Sequence, residues 1–279
     1  YMVLGTYKPR GATKRLATTV VTVHRMQYAK WEAPPAVHDE STDAWSSLLS
    51  RRDNDHAPHD HPQPDELHHA LLSGVPHNLR PRVWLSFSGA ASRMALNPDV
   101  YTNLVAALEP PPSSEHTVAT SGTSRCPVLE QIEKDLRRTD IHVERLGPSG
   151  AIEALRRVLS AYAHFNPTVG YVQGMNFIVS GLLTSLEEEA AFWLLVLVVE
   201  DWLPSHYTEA MLGNHVDCYV LGTLVEARMP HLSAHLLEVG VSTQLLTARW
   251  FLTLWNSILS SSALLRLWDV LFVCGPCST

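Results

Sequence analysis

The sequence predicts an all-α protein, a multi-helix domain preceded by a largely irregular N-terminal segment. Three observations support this prediction. Apolar residues recur at helical spacing almost without interruption from Val128 onward. Glycine and proline residues divide that pattern into about nine or ten helices, with no internal repeat of fixed period. The 279 residues, of which 46% are hydrophobic, can bury a sizeable core without disulfides or a metal.

Residues 1–64 make up the N-terminal segment, which we expect to be partly disordered, and the helical domain covers residues 65–279. The β-branched run Arg15–Val23 predicts one short strand. Pro, His, Asp and Ser dominate residues 34–64. This composition predicts a linker, interrupted by one short amphipathic stretch at Ala44–Leu49.

Three histidines of this linker, His56, His59 and His61, are candidate metal ligands. Structural metal sites combine such histidines with cysteines or with an ordered ligand spacing. Neither accompanies these three residues, so a solvated tail is the favoured interpretation and no metal is expected.

We expect order to begin near Asp65. The first helix should end at Gly74, with Pro76 just past that stop and near the entry to the next helix. A third helix is predicted over Asp99–Leu108. The Pro-, Ser- and Thr-rich stretch Glu109–Pro127 is typical of a loop.

The second half of the chain shows a nearly continuous helical pattern with clear breaks. One helix should end at the dipeptide Asn166-Pro167, and later breaks are expected at Pro230 and Gly240. The longest apolar stretch is Ala190–Val199. Since a helix needs about 20 residues to span a bilayer, we expect buried helices and no transmembrane segment.

Charge and cysteine content narrow the class of protein further. The formal net charge of −7 and a pI of about 6.1 show no basic surplus, so nucleic acid is not expected as a partner. The opening residues contain no apolar core of a signal peptide. The cysteines are few and unevenly spaced, which indicates a reducing, cytoplasmic compartment. They are Cys126, Cys218, Cys274 and Cys277.

The stretch IEKDLRRT, residues 132–139, is the first candidate site. On a helix, Asp135 and Arg138 are neighbours at i and i+3, while Ile132 anchors the helix. A carboxylate that holds an arginine near a helix end presents a rigid cation. By spacing alone, an ordinary surface ion pair worth about 0–1 kcal/mol remains the favoured alternative.

The stretch NPTVGYVQGMN, residues 166–176, is the second candidate. Gly170 and Gly174 permit positive φ angles and close backbone approach. Tyr171 and Met175 form an apolar pair at i and i+4 around the polar Gln173. Taken alone, this stretch is more typical of a helix entry packed against a neighbour than of a functional site.

The stretch CGPC, Cys274–Cys277, matches the sequence of a thioredoxin-type redox site. A redox CxxC needs a strand before it and a helix after it. Here it follows a helical pattern instead, so a thiol oxidoreductase is a less favoured alternative.

Together these stretches resemble the TBC domain family, the GTPase-activating proteins for Rab GTPases. The resemblance covers about Glu66 to Phe272 and follows five motifs in the family's order. They are GVPHNLRPRVWLSFSGA, IEKDLRRT, NPTVGYVQGMN, VEDWLPSHY and RWFLTLW with LLRLWDVLF. The family's IxxDxxR motif falls on Ile132, Asp135 and Arg138, and its YxQGM motif falls on Tyr171, Gln173, Gly174 and Met175.

The resemblance implies a TBC fold and a mechanism with two residues supplied in trans to a partner Rab. Arg138 would be an arginine finger and Gln173 a glutamine finger that orients the attacking water. Asp135 would align Arg138. Supporting roles would fall to Ile132, Tyr171, Gly174 and Met175. The chain itself would need no cofactor, because GTP and Mg²⁺ belong to the partner.

The resemblance also implies a role in vesicle trafficking, with a cytoplasmic protein recruited to endomembranes through its partners. The family usually continues through further helices beyond its WDVLF element, so we expect a C-terminally shortened domain with an apolar face exposed on its last helices. A non-catalytic scaffold that uses the same fold to bind a small GTPase is the principal alternative.

Overall fold

The computed structural model describes residues 39–53, 62–108, 127–139 and 147–275. Within these ranges the chain forms α-helices and one π-helical segment, and no β-strand. The helices are α1 (Asp39–Arg52), α2 (Pro64–Ser73), α3 (Arg80–Ser88), α4 (Ala90–Leu96), α5 (Val100–Leu108), α6 (Pro127–Leu136), α7 (Gly147–Phe165), α8 (Met175–Leu183), α9 (Glu188–Val196), α10 (Leu212–Arg228), α11 (Pro230–Glu238), α12 (Thr243–Leu252) and α13 (Ser261–Cys274). The all-α prediction is therefore confirmed, while the strand expected at Arg15–Val23 lies outside the described residues.

Helix α1 corrects the prediction that order begins near Asp65. Its residues Trp45 and Leu49 are fully buried, and the Trp45 indole N–H donates to the carbonyl of Gly74 at 2.8 Å. The amphipathic stretch Ala44–Leu49, expected only as an interruption of the linker, lies within this helix, and Leu48 completes its apolar stripe. The helix packs this stripe against α2 and α3. The hydrophobic free energy gained by that burial stabilises the helix although its flanking residues are polar.

Several predicted helix ends are confirmed. Helix α2 stops at Gly74, whose φ of 98° lies in the region that favours glycine, and its N–H caps the helix by donating to Ala70 O at 3.0 Å. Helix α7 ends one residue before Asn166, and Pro230 opens α11. The loop predicted for residues 109–127 lies outside the described residues except for Pro127, which begins α6.

Helices α7, α8 and α9 pack against one another and form the centre of the core. Helix α9 is apolar all round, with Phe192 and Trp193 fully buried, as expected of a helix inside a large domain. It continues into the π-helical segment Leu197–Trp202. In the part of the chain that is described, none of the helices has both the length and the apolar character that crossing a membrane requires.

A buried ion pair joins the two ends of the domain. Arg80 of α3 donates to both carboxylate oxygens of Asp269 in α13, at 2.8 and 3.1 Å, and neither side chain is more than 2% exposed. The Trp84 indole N–H donates to the same carboxylate at 2.9 Å. Burial raises the pKa of Asp269, while the hydrogen bonds from Arg80 and Trp84 oppose that rise.

Helices α10 to α12 carry exposed apolar side chains. On α10, Leu212, Val216 and Tyr219 are 62%, 50% and 66% exposed and follow one another at helical spacing. The last helix, α13, buries Trp268 and Phe272 but leaves Val270 46% exposed. The apolar exposure expected for the last helices is thus found mainly on the three helices that precede α13.

Candidate functional site

A turn directly after α6 presents Arg138. The helix ends at Leu136, and the Arg138 N–H donates to the carbonyl of Asp135 at 3.1 Å. The guanidinium contacts Oδ1 of Asp135 through Nε at 2.8 Å and through Nη2 at 2.7 Å. Its side chain is 50% exposed, whereas that of Asp135 is 1% exposed. The Nε and Nη2 edge of the Arg138 guanidinium is thus bonded to Asp135, while half of the side chain is exposed to solvent.

The burial of Asp135 excludes the ordinary surface ion pair that the spacing alone favoured. A carboxylate taken out of water needs several donors to offset its lost hydration. Asp135 has them from Arg138, from the Gln131 amide at 3.3 Å and from the Tyr171 hydroxyl at 2.6 Å. These hydrogen bonds fix the position of the Asp135 carboxylate, which in turn restrains the Arg138 guanidinium. We call this carboxylate the mount of Arg138.

Tyr171 connects this mount with the second motif. Its hydroxyl donates to Oδ2 of Asp135, the oxygen that Arg138 does not contact. Burial, together with this bond to an anionic acceptor, raises the pKa of Tyr171 well above its usual range. The phenol thus stays protonated and can act as a donor throughout the physiological pH range.

Gly170 and Gly174 show why the second motif contains glycines. Their φ angles are 61° and 121°, in the region that other residues rarely adopt, as the sequence predicted. A Cβ at Gly174 would lie 2.8 Å from the carbonyl oxygen of Leu252, at the end of α12. The close approach made by this backbone is therefore to another helix of the same chain.

Gln173 lies in the turn that leads into α8 and is exposed. Within the described parts of the chain its side chain makes no hydrogen bond. The neighbouring Met175 is fully buried, and Ile132 of α6 is 1% exposed. Both residues lie in the core beneath the two turns, because α6 packs against α8.

Asn176 belongs to the same network, although it was not among the predicted site residues. It is fully buried, and its amide N–H donates to Oγ1 of Thr139 at 2.7 Å. Its carbonyl oxygen accepts the N–H of Gly174 at 3.1 Å. The sequence signal for it is a single amide at the start of the largely apolar helix MNFIVSGLL.

The structure opposes a redox role for CGPC. Cys274 is the last residue of α13, and no strand precedes it in the described residues. A thiolate is stabilised at the N-terminus of a helix, while the C-terminal end carries partial negative charge that disfavours it. Cys277 lies outside the described residues.

No group of three or more His, Cys, Asp or Glu side chains is placed to hold a metal ion in the ranges that the structure describes. The linker histidines His56, His59 and His61 lie outside those ranges. The site presents the exposed guanidinium of Arg138 and the exposed amide of Gln173. They lie on two turns that are joined by a network of buried and partly buried polar groups.

Comparison with known proteins identifies relatives of the helical domain. Residues 77–279 match the model of the Rab-GTPase-TBC domain. Small G protein signaling modulator 3 of Bos taurus is 36% identical over 221 residues, which are 77% of this chain and 27% of that protein. Growth hormone-regulated TBC protein 1 of Homo sapiens is 39% identical over 207 residues, 72% of this chain and 57% of that protein.

Two solved structures have the same architecture. The Chlamydomonas flagellar RabGAP TBC domain superposes with a TM-score of 0.64 at 30% identity, over 88% of this chain and 80% of that one. The Ypt/Rab-GAP domain of Gyp1p superposes with a TM-score of 0.62 over 84% of this chain and 80% of its own. At 19% identity, the second comparison shows the fold alone.

Proposed function

The chain belongs to the Rab-GTPase-TBC domain family, and from that premise we propose that it stimulates GTP hydrolysis by a Rab-family small GTPase. The observation that carries the proposal is the mount of Arg138. A half-exposed arginine is held on a carboxylate that is itself 1% exposed. A surface side chain without such a mount would first have to be ordered before it could act in trans.

Arg138 enters the active site of the partner and offsets the charge that develops on the γ-phosphoryl group. Phosphoryl transfer depends on positioning and electrostatic stabilisation, so a cation fixed in advance is effective. An arginine supplied in trans accelerates hydrolysis by about 10³–10⁵-fold, which corresponds to about 4–7 kcal/mol. The planar guanidinium suits this task because it donates two parallel hydrogen bonds, which an ammonium group cannot do.

Gln173 orients the water that attacks the γ-phosphate. A carboxamide is neither a base nor a nucleophile, but it can accept a hydrogen bond from a water and donate one to a phosphate oxygen. The exposed position of Gln173, next to the restrained Gly174, supports this role. GTP and Mg²⁺ are both carried by the partner, so the chain needs no cofactor of its own.

Through such a partner the protein regulates vesicle trafficking, as a cytoplasmic protein recruited to endomembranes by its partners. A non-catalytic scaffold that binds a small GTPase is the second candidate. The held arginine favours activation over simple binding, because a docking surface has no need to restrain one cation on a buried carboxylate.

Phosphate release from a panel of GTP-loaded Rab proteins tests the proposal. The wild-type chain should accelerate at least one of them, and Arg138→Ala should remove most of that acceleration. Arg138→Lys keeps the charge without the planar fork and should recover only a small part. Arg137→Ala, which alters the neighbouring exposed arginine, is the matched control. Full acceleration by Arg138→Ala would refute the arginine finger, and binding without acceleration by the wild-type chain would favour the scaffold.

A further inference from the structure

Asn176 lies between the two turns that carry the proposed fingers. Its amide N–H reaches Thr139, the residue after Arg138, and its carbonyl oxygen reaches Gly174, the residue after Gln173. Each bond therefore ends one residue away from an exposed functional side chain. The amide is fully buried and cannot itself contact a partner protein.

The neighbours of Asn176 determine the orientation of its amide. The backbone N–H of Gly174 can only donate, so the atom facing it has to be the carbonyl oxygen. The Thr139 hydroxyl gives its own proton to the carbonyl of Asp135 at 2.6 Å, so it accepts from Nδ2. This position thus needs a donor and an acceptor at once. Aspartate lacks the donor, and leucine lacks both groups.

A second contact adds to the connection. Oδ1 of Asn176 lies 3.1 Å from the hydroxyl of Tyr171, whose single proton is taken mainly by Asp135 at 2.6 Å. Asn176 is therefore linked to Asp135 directly through Thr139, and more weakly through the shared proton of Tyr171. Two links restrain the two turns more strongly than a single bond would, and neighbouring hydrogen bonds of such a network strengthen one another.

We propose that Asn176, acting through Thr139 and Gly174, is a positioning residue that sets the placement of Arg138 relative to Gln173. This inference rests on the proposed function, in which both side chains act on one γ-phosphate. Asn176 touches neither substrate nor partner, so its loss lowers kcat and leaves KM nearly unchanged. A displacement of about 1 Å between two cooperating groups can cost on the order of 100-fold in rate.

Kinetics of the full chain with a responsive Rab form the first test. Asn176→Ala and Thr139→Val should each lower kcat about 10–100-fold, with KM within about threefold of wild type. The double variant should be little worse than either single one, because both substitutions break the same link to Asp135. Thr139→Ser keeps the hydroxyl that Thr139→Val removes, and it should retain most of the wild-type rate.

Asn214→Ala is the matched control, since Asn214 is also a buried asparagine, 2% exposed, but lies on α10 and outside this network. It should keep its kcat in spite of a comparable loss of stability. The proposal is overturned if folded Asn176→Ala retains full kcat. It is also overturned if the losses of rate in both asparagine variants only follow their folded fractions.

Amide hydrogen exchange gives a readout that does not depend on any Rab. Asn176→Ala should speed exchange at the Gly174 N–H, which loses its acceptor. The Gly170 N–H donates to Asn166 O at 2.8 Å and should be unaffected. If the wild-type chain activates no Rab, the proposed function fails by itself. Unchanged exchange at Gly174 refutes the positioning role in either case.

Discussion

The hydroxyl of Tyr171 lies 2.6 Å from Oδ2 of Asp135, although 36 residues separate them in the chain. Through this bond a residue of the glutamine-bearing turn supports the carboxylate that holds Arg138. Arginine and tyrosine occupy opposite oxygens of the same carboxylate. The two candidate stretches, residues 132–139 and 166–176, therefore meet as one unit of structure.

Tyr171→Phe should weaken this unit without removing either finger. Because the buried carboxylate of Asp135 loses one donor, we expect a loss of about 1–3 kcal/mol in the free energy of unfolding, measured by urea denaturation. GTP hydrolysis should also slow in the folded protein. Tyr162→Phe alters another buried tyrosine, on α7, whose hydroxyl does not donate to Asp135, and should leave the rate intact. Equal rates for the two variants would remove Tyr171 from the support of Arg138.

Gln173→Ala should separate function from stability. Gln173 is exposed, so its replacement should change the free energy of unfolding by less than about 0.5 kcal/mol. Stimulated hydrolysis should fall by about 10²–10³-fold, as expected when a preorganised polar group is removed. Gln244→Ala, an exposed glutamine of α12, is the control. If Gln173→Ala melts the domain while its folded fraction stays active, the glutamine has a structural role.

Gly174→Ala should destabilise the domain for two reasons. The φ of 121° is strained for alanine, and the new methyl would lie 2.8 Å from Leu252 O. Such strain costs about 1–3 kcal/mol, before the collision is added. Gly89→Ala serves as the control, because φ there is 86° and nothing lies within 4 Å of the added carbon. Thermal unfolding of the two variants should thus show a clearly larger loss for Gly174→Ala. Equal losses would mean that Leu252 does not restrict this turn.

Asp269→Asn should be among the most damaging single changes. It leaves the Arg80 cation buried without its counter-charge, which costs about 3–5 kcal/mol by denaturant unfolding. The exposed pair Arg82–Asp53, with side chains 58% and 41% exposed, is the natural comparison. Asp53→Asn should cost only about 0–1 kcal/mol. A similar small loss for Asp269→Asn would show that this pair contributes little despite its burial.

Local signals in the sequence determined much of the helical framework. Gly74, Pro230 and the Asn166-Pro167 dipeptide mark helix boundaries because their backbone constraints act within a few residues. The same locality brings Asp135 beside Arg138, because the turn that follows α6 keeps residues i and i+3 close to each other. The need for glycine in the second motif was also predictable, because positive φ is a property of the single residue.

Tertiary packing decided what those local features do. Spacing could not show that Asp135 is buried. Its burial is what distinguishes this pair from an ordinary surface ion pair, because a buried and fully bonded carboxylate restrains Arg138. Spacing marks Ala44–Leu49 as amphipathic, but it cannot show that Trp45 is buried and donates to a backbone carbonyl 29 residues away. The amide at the start of α8 marks Asn176 in the sequence, but only packing brings it to Thr139, 37 residues away. Such contacts depend on how distant segments pack, whereas spacing along the chain reports only on neighbours.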